Sequence, residues 1–435
     1  MRTGEAAPAE LRRGFRRARA GSTALLLALF TIGFFQRFAP ATFAEPIGAA
    51  FGVSAAQLGL FAAGNFWVYT VMQVPVGLLI DRYGTRMVVA VGGAVTSAGT
   101  LLLAAAPGFG VAAVGPLLVG LGTSGIFVGL LKSNATWFPE RRYGVVTGIT
   151  MFVGNLGSIV AEGPSALLLT AFTWRSIFLV VGLLAVTTTV LVLVVVRDSP
   201  EEAGYPGVLP RPAAPAATAP ANGSHRLRSA LASRQVWLVF AAVIGTNGTF
   251  YAFSGLWGVP LLRDGFGLSN AAASAYTTIG LVVYGCGNIL LGLLSDRLGR
   301  RCPVILVCSA SAVLGWAGFA FLPWSPGWSA VVLYALVGLA GAQVVPAFAA
   351  VKESTAPSAA ATALGVVNVG AFLASGLIQP VFGWILDARP GSTDALSHPV
   401  LADYRWALIV PLALSAAGLC CALGVRETFR HGPDH

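Results

Sequence analysis

The chain has 435 residues, 56% of them hydrophobic and 10% charged, and its mean hydropathy is +0.77, whereas a soluble domain carries roughly 25% charged residues. So few charges cannot clothe a core in a polar exterior, which excludes an ordinary water-soluble protein and makes the bilayer the main solvent. The net charge of +10 does not indicate nucleic-acid binding, because the basic residues are scattered between apolar runs.

Arg12, Arg13, Arg16, Arg17 and Arg19 precede an apolar run that begins at Leu25, an arrangement that imitates an export signal. The run continues through Phe43, so it is read as a retained first span behind a basic tail, 1–20. A crossing helix needs about 20 mainly apolar residues. Such runs occur at roughly 21–44, 55–80, 87–106, 111–136, 144–170, 174–196, 236–261, 270–294, 302–322, 328–350, 360–386 and 405–425, predicting an all-α membrane protein of twelve spans.

Residues 197–235 carry Pro200, Pro206, Pro210, Pro212, Pro215 and Pro220 among Ala, Gly and Ser, the composition of a linker. It separates one six-helix bundle, 21–196, from another, 236–425, and 426–435 form a second tail. Sorting the connections onto two faces puts four basic residues (Arg175, Arg263, Arg389, Arg405) on one and 21 on the other. The positive-inside rule then places both tails and the linker in the cytoplasm, with the chain in the cell (inner or plasma) membrane. The remaining two of the 27 basic residues, Arg37 and Lys132, fall inside spans.

In span 1, Arg37 lies just past the midpoint, where a charge costs at least about 2.5 kcal/mol and normally faces a cavity or a partner. Its planar fork suits a carboxylate or phosphate ligand, and an ion pair inside the bundle is the alternative. In span 2, Asn65, Tyr69 and Gln73 recur at four-residue spacing on one face. Lys132 sits near the end of span 4, on the substrate path or snorkelling.

Glu162 is the only acidic residue well inside a span, at a depth in span 5 close to that of Arg37 in span 1. It is a candidate proton carrier or an ion-pair partner of Arg37. In the second bundle Asn247, Tyr251, Gln343, Asn368 and Gln379 are the inner polar residues, serving as ligands or as hydrogen-bond glue between helices. The five cysteines have no metal-type spacing and read as buried thiols, and His225, His398, His431 and His435 lie in loops or the tail, so neither a metal site, a cofactor site nor a hydrolytic site is expected.

One loop occurs twice: Gly77-Leu-Leu-Ile-Asp81-Arg82-Tyr-Gly84-Thr85-Arg86 after span 2, and Gly292-Leu-Leu-Ser-Asp296-Arg297-Leu-Gly299-Arg300-Arg301 after span 8. Gly77 and Gly292 would let neighbouring helices approach, Gly84 and Gly299 would make the tight turn, and the acids would latch to a nearby Arg or helix dipole. Phe51-Gly-Val-Ser likewise returns as Phe266-Gly-Leu-Ser at the same offset of 215, so the halves are parallel repeats, with a substrate path expected between them.

On this loop and its recurrence the sequence resembles the major facilitator superfamily over roughly residues 21–425. Thr85 departs from the pattern where the family often has a basic residue, which predicts a weaker first latch. The resemblance implies alternating access, with the Asp81 and Asp296 loops closing the cytoplasmic side. Arg37 and the stretch Trp137-Phe-Pro-Glu-Arg-Arg142 are similar to the organic-anion and organophosphate branches. Those branches differ in having a second Arg in helix 7, or an acid beside the first, where this chain has Gln36.

The expected function is therefore secondary transport of a small organic anion, proton-coupled and monomeric in the simplest case. Proton-driven drug efflux and a transport-dead receptor of the same fold are the alternatives. Gly120 to Gly129 is Gly-rich but lacks a Gly-Lys-Ser/Thr ending, which argues against ATP hydrolysis.

Overall fold

A bilayer offers no partners for backbone N–H and C=O groups, so an apolar chain of this kind must satisfy them within helices. The computed structural model describes residues 9–205, 223–389 and 400–429, and among these the only regular structure is helical. Among the described residues, ten stretches are long and apolar enough to cross a membrane. Helices 55–83 and Glu140–Leu168, which carry Asn65, Gln73 and Glu162, complete a set of twelve spans.

The spans follow the sequence reading, with longer ends. Span 1 is Ala9–Phe51, so the helix extends back into the basic tail as far as Ala9. Spans 2 and 3 are one helix, Ala55–Ala105, broken at Gly84, where φ is +80°. That left-handed conformation is accessible to Gly at little cost, so the hallmark loop turns there. Spans 4 to 6 are Phe109–Trp137, Glu140–Leu168 and Trp174–Val195. Spans 7 to 12 are Arg234–Phe266, Asn270–Leu298, Cys302–Phe321, Trp328–Ser354, Pro357–Asp387 and Leu401–Leu423.

The region read as a linker also contains a short helix, Gly223–Ala232, which begins just after the last proline and includes His225, read above as a loop residue. Residues 206–222, His398, His431 and His435 lie outside the described residues. Of the five cysteines read as buried, only Cys308 is buried, and Cys286 and Cys420 are exposed. In a bilayer the outer surface is itself apolar, so hydrophobicity does not distinguish an inward from an outward Cys.

The two bundles meet through spans 1 and 7, 2 and 11, and 5 and 8. Because span 8 repeats span 2 and span 11 repeats span 5, this pairing is that of two parallel six-helix repeats facing each other across a pseudo-two-fold axis.

Candidate functional site

Arg37 lies at this interface, only 4% exposed. Its guanidinium carbon is 4.5 Å from the centre of the Tyr69 ring, 4.9 Å from Phe372 and 5.2 Å from Phe34. Tyr69 and Phe34 belong to the first bundle and Phe372 to the second, so the cage is completed only when the halves meet. Cation–π contacts of this kind are worth roughly 2 kcal/mol when desolvated. That offsets part of the burial cost, yet no carboxylate lies within ion-pair distance of Arg37 among the described residues, and its Nε has no hydrogen-bond partner. A buried, caged cation without a counterion is a place where an anion is stabilised.

The opposite wall is built from span 7, which carries π-helical turns at Ile244–Gly248 and Phe253–Trp257. Such widened turns recur at functional sites. Between them Tyr251 packs on Phe372, with ring centres 5.9 Å apart, and its hydroxyl shares a 2.7 Å hydrogen bond with that of Tyr284 on span 8. The structure thus brings Arg37, Tyr69 and Tyr251 together around Phe372. Phe34, Phe372 and Tyr284 were missed, because aromatic residues abound in every span and nothing in their spacing marks these three.

Several other candidates are held by the scaffold. Asn247 Nδ2 donates to Gly341 O at 3.0 Å, and Gln379 Nε2 to Ala252 O at 3.3 Å. Gln343 Oε1 accepts weakly from Ser309 Oγ at 3.5 Å. These bonds stitch helices within the second bundle. Asn65 is buried with its Oδ1 unpartnered, in a pocket shared with Gln36 and Arg37. Asn368 is half-buried on span 11, one turn from Phe372.

Glu162 does not pair with Arg37. It is fully buried with both carboxyl oxygens unpartnered, and it faces Thr277 on span 8 and Tyr334 on span 10. The Thr277 hydroxyl is committed to Ser274 O at 3.0 Å. Similar depth brought Arg37 and Glu162 together on paper, but they point from different helices at different parts of the second bundle.

The two hallmark loops bond differently. In the second, Arg301 reaches Asp296 at 2.5 Å and Glu353 at 2.8 Å, while its backbone N–H donates to Glu427 at 2.7 Å. Burial alone would lower the Arg301 pKa, but the Glu353 and Asp296 carboxylates hold it above its ordinary value. Glu427 likewise feels burial upward, yet backbone N–H groups of Arg301, Cys302, Phe429 and Thr428 hold it below the usual carboxylate range.

In the first loop Arg86, the equivalent of Arg301, turns instead to Leu193 O at 2.9 Å, and its backbone N–H donates to Asp198 at 2.6 Å. Asp81 is left to Lys132, 2.8 Å away. Lys132, read as lying on the substrate path or snorkelling, has its ammonium on Asp81 and on Ile80 O of the loop. Arg82 packs over Tyr83, and Arg82, Arg297 and Arg300 are exposed.

Contacts across the halves distinguish the two sides of the membrane. On the side away from the hallmark loops, Ala55 and Ala56 N–H donate to Asp387 at 3.1 and 2.9 Å, and Arg263 pairs with Glu45 at 3.1 Å. Gly59 lies there against the backbone of Gln379 and Pro380, and a Cβ would clash. At the loop end of the same helices the reverse holds. A Cβ on Gly77, Gly148 or Gly365 would meet nothing within 4 Å. The close approach expected of Gly77 is therefore not made in this structure.

The profile of the Major Facilitator Superfamily matches residues 25–378 and again 250–434. The chain belongs to this superfamily. It is an integral membrane transporter and not an enzyme. It is 25% identical over 390 residues to "Probable sulfoacetate transporter SauU" of Cupriavidus necator, covering 85% of this chain and 87% of that protein. It is 25% identical over 278 residues to the hexuronate transporter of Bacillus subtilis, covering 61% and 64%. A bacterial homologue of the human lysosomal transporter Spinster, solved inward-facing and occupied, superposes with a TM-score of 0.76 at 17% identity over 95% of this transporter and 99% of that chain. At that identity the likeness speaks for the fold alone.

Proposed function

We propose that this transporter moves a small organic anion by alternating access, coupled to protons, as a monomer. The observation that carries the reading is Arg37, a buried guanidinium between the halves with no carboxylate partner among the described residues. The names of its relatives, transporters of sulfoacetate and hexuronate, favour a carboxylate or sugar acid over a neutral drug. In this reading the loop side is cytoplasmic, in keeping with its excess of Lys and Arg. The conformation described above is then inward-open, with Asp387 and Arg263 sealing the outside.

Glu162 is the proton carrier in this scheme. A carboxyl buried without donors is costly as an anion, and rocking of the halves would change its surroundings. The remaining polar residues named above contribute to binding or to helix contacts. Purified protein in proteoliposomes tests the reading: an inward proton gradient should drive accumulation of a labelled carboxylate. Extrusion of hydrophobic dyes with no carboxylate flux would favour drug efflux, and tight binding without flux a receptor.

A further inference from the structure

We infer that the first bundle holds a subsite for a single hydroxyl-type oxygen beside Arg37, built by Gln36 and Asn65 and filled by a water or by a hydroxyl of the substrate. A cavity of about 20 Å³ lies there, lined by these three residues and otherwise by apolar side chains such as Pro40, Phe61 and Val119. Gln36, Arg37 and Asn65 are 8%, 4% and 4% exposed, and each has one side-chain atom without a hydrogen-bond partner: Gln36 Nε2, Arg37 Nε and Asn65 Oδ1. Gln36 is held at its other amide atom, where Thr100 Oγ1 donates to Oε1 at 2.7 Å.

The three open atoms, two donors and one acceptor, define what fits. A water or hydroxyl oxygen accepts two hydrogen bonds and donates at least one, which satisfies all three at once, and buried waters typically make about three such bonds. A carboxylate only accepts, so it would meet Asn65 Oδ1 with no proton between them. Size agrees, since a cavity needs about 10–15 Å³ to hold one water. The space therefore takes one oxygen and not a whole carboxylate.

Every lining residue belongs to spans 1 to 4 or 6, so rocking of the halves leaves the subsite whole, whereas the cage around the guanidinium loses Phe372 when the halves part. Gln36 and Asn65 are positioning residues in this arrangement. Through the bridging oxygen they hold Arg37 at Nε and leave its terminal nitrogens to the substrate carboxylate, whichever way the halves face. Where the substrate supplies the oxygen, the same pair selects an acid with a hydroxyl close to its carboxylate.

A map of the purified full-length protein that resolves ordered waters tests the subsite. One density peak within hydrogen-bond reach of Gln36 Nε2, Arg37 Nε and Asn65 Oδ1 is expected, and a cavity without density that takes up xenon overturns it. Lactate and propionate, which differ by one hydroxyl, identify the source, an arm that rests on the anion reading. If the substrate supplies the oxygen, lactate binds at least about tenfold tighter than propionate, and Asn65→Leu removes that preference. If a water is resident, the two acids bind alike and Asn65→Leu weakens both several-fold. Asn65→Ser, which keeps a polar partner and room for the water, then restores most of the affinity. Wild-type affinity of Asn65→Leu for both acids overturns the positioning role. Binding of dyes or neutral solutes and of neither acid overturns the anion reading, while the density still decides the subsite.

Discussion

Lys132 and Asp81 are bound to each other at 2.8 Å within the first bundle, so the acid of the hallmark loop is held away from the second half of the molecule. Their side chains are 42% and 77% exposed, which makes the pair worth at most about 1 kcal/mol of stability. Its effect falls on the equilibrium between conformations. Lys132→Ala should leave the melting temperature within a few degrees of wild type yet favour closure of the loop side. Maleimide labelling of a cysteine at Gly77, with the native cysteines replaced, should slow several-fold; unchanged labelling would separate the pair from gating.

The two equivalent arginines should differ in cost. Arg301 is largely buried and joins Asp296, Glu353 and the segment around Glu427, so Arg301→Ala should destabilise by about 3 kcal/mol by leaving carboxylates uncompensated. Arg86 meets a backbone carbonyl with its side chain, and Arg86→Ala should cost about 1 kcal/mol. Denaturation midpoints in detergent measure both, and equal losses would contradict the asymmetry.

Arg37→Lys keeps the charge and loses the planar fork. Uptake of the anion should fall at least tenfold with normal abundance in the membrane, about 1.4 kcal/mol of lost binding. Wild-type uptake by this variant would remove Arg37 from the site.

Glu162→Gln preserves shape and cannot exchange a proton. Uphill accumulation driven by a pH gradient should disappear, while counterflow of substrate, which needs no net proton movement, should persist. Accumulation at the wild-type level would assign coupling elsewhere.

Glu427 has a pH signature. Its carboxylate is held below the ordinary range by the backbone N–H groups it caps, so its contribution is present above the unfolded-state pKa and is lost as pH falls through the folded one. Glu427→Gln should cost about 0.5–1 kcal/mol at pH 7, the lower end for an exposed cap. That difference should shrink toward zero on acidification below about pH 4. A constant difference between pH 7 and 3 would mean that the cap does not depend on charge.

The twelve spans, the six-plus-six division and the twin loops were legible because each rests on local chemistry. Apolar runs of about 20 residues declare a bilayer, and Gly84 and Gly299 take left-handed φ where the repeat places its turns. Arg37 was also legible, since a charge at that depth stands out against its neighbours. Partners were not legible. Span depth is a one-dimensional coordinate, whereas contact depends on which way each helix is rotated and on which helix of the other bundle lies opposite.

Sequence alone therefore determined that this is a membrane protein of two repeats with a cation near its centre. The tertiary structure decided that Arg37 faces Phe372 and Tyr69 rather than Glu162, that Lys132 pairs with Asp81, and that Asp387 of the second bundle accepts from the Ala55 and Ala56 N–H groups of the first. The physical reason is that hydropathy reports the solvent each residue meets, while charge pairing and cage formation are set by the relative placement of two bundles distant in sequence.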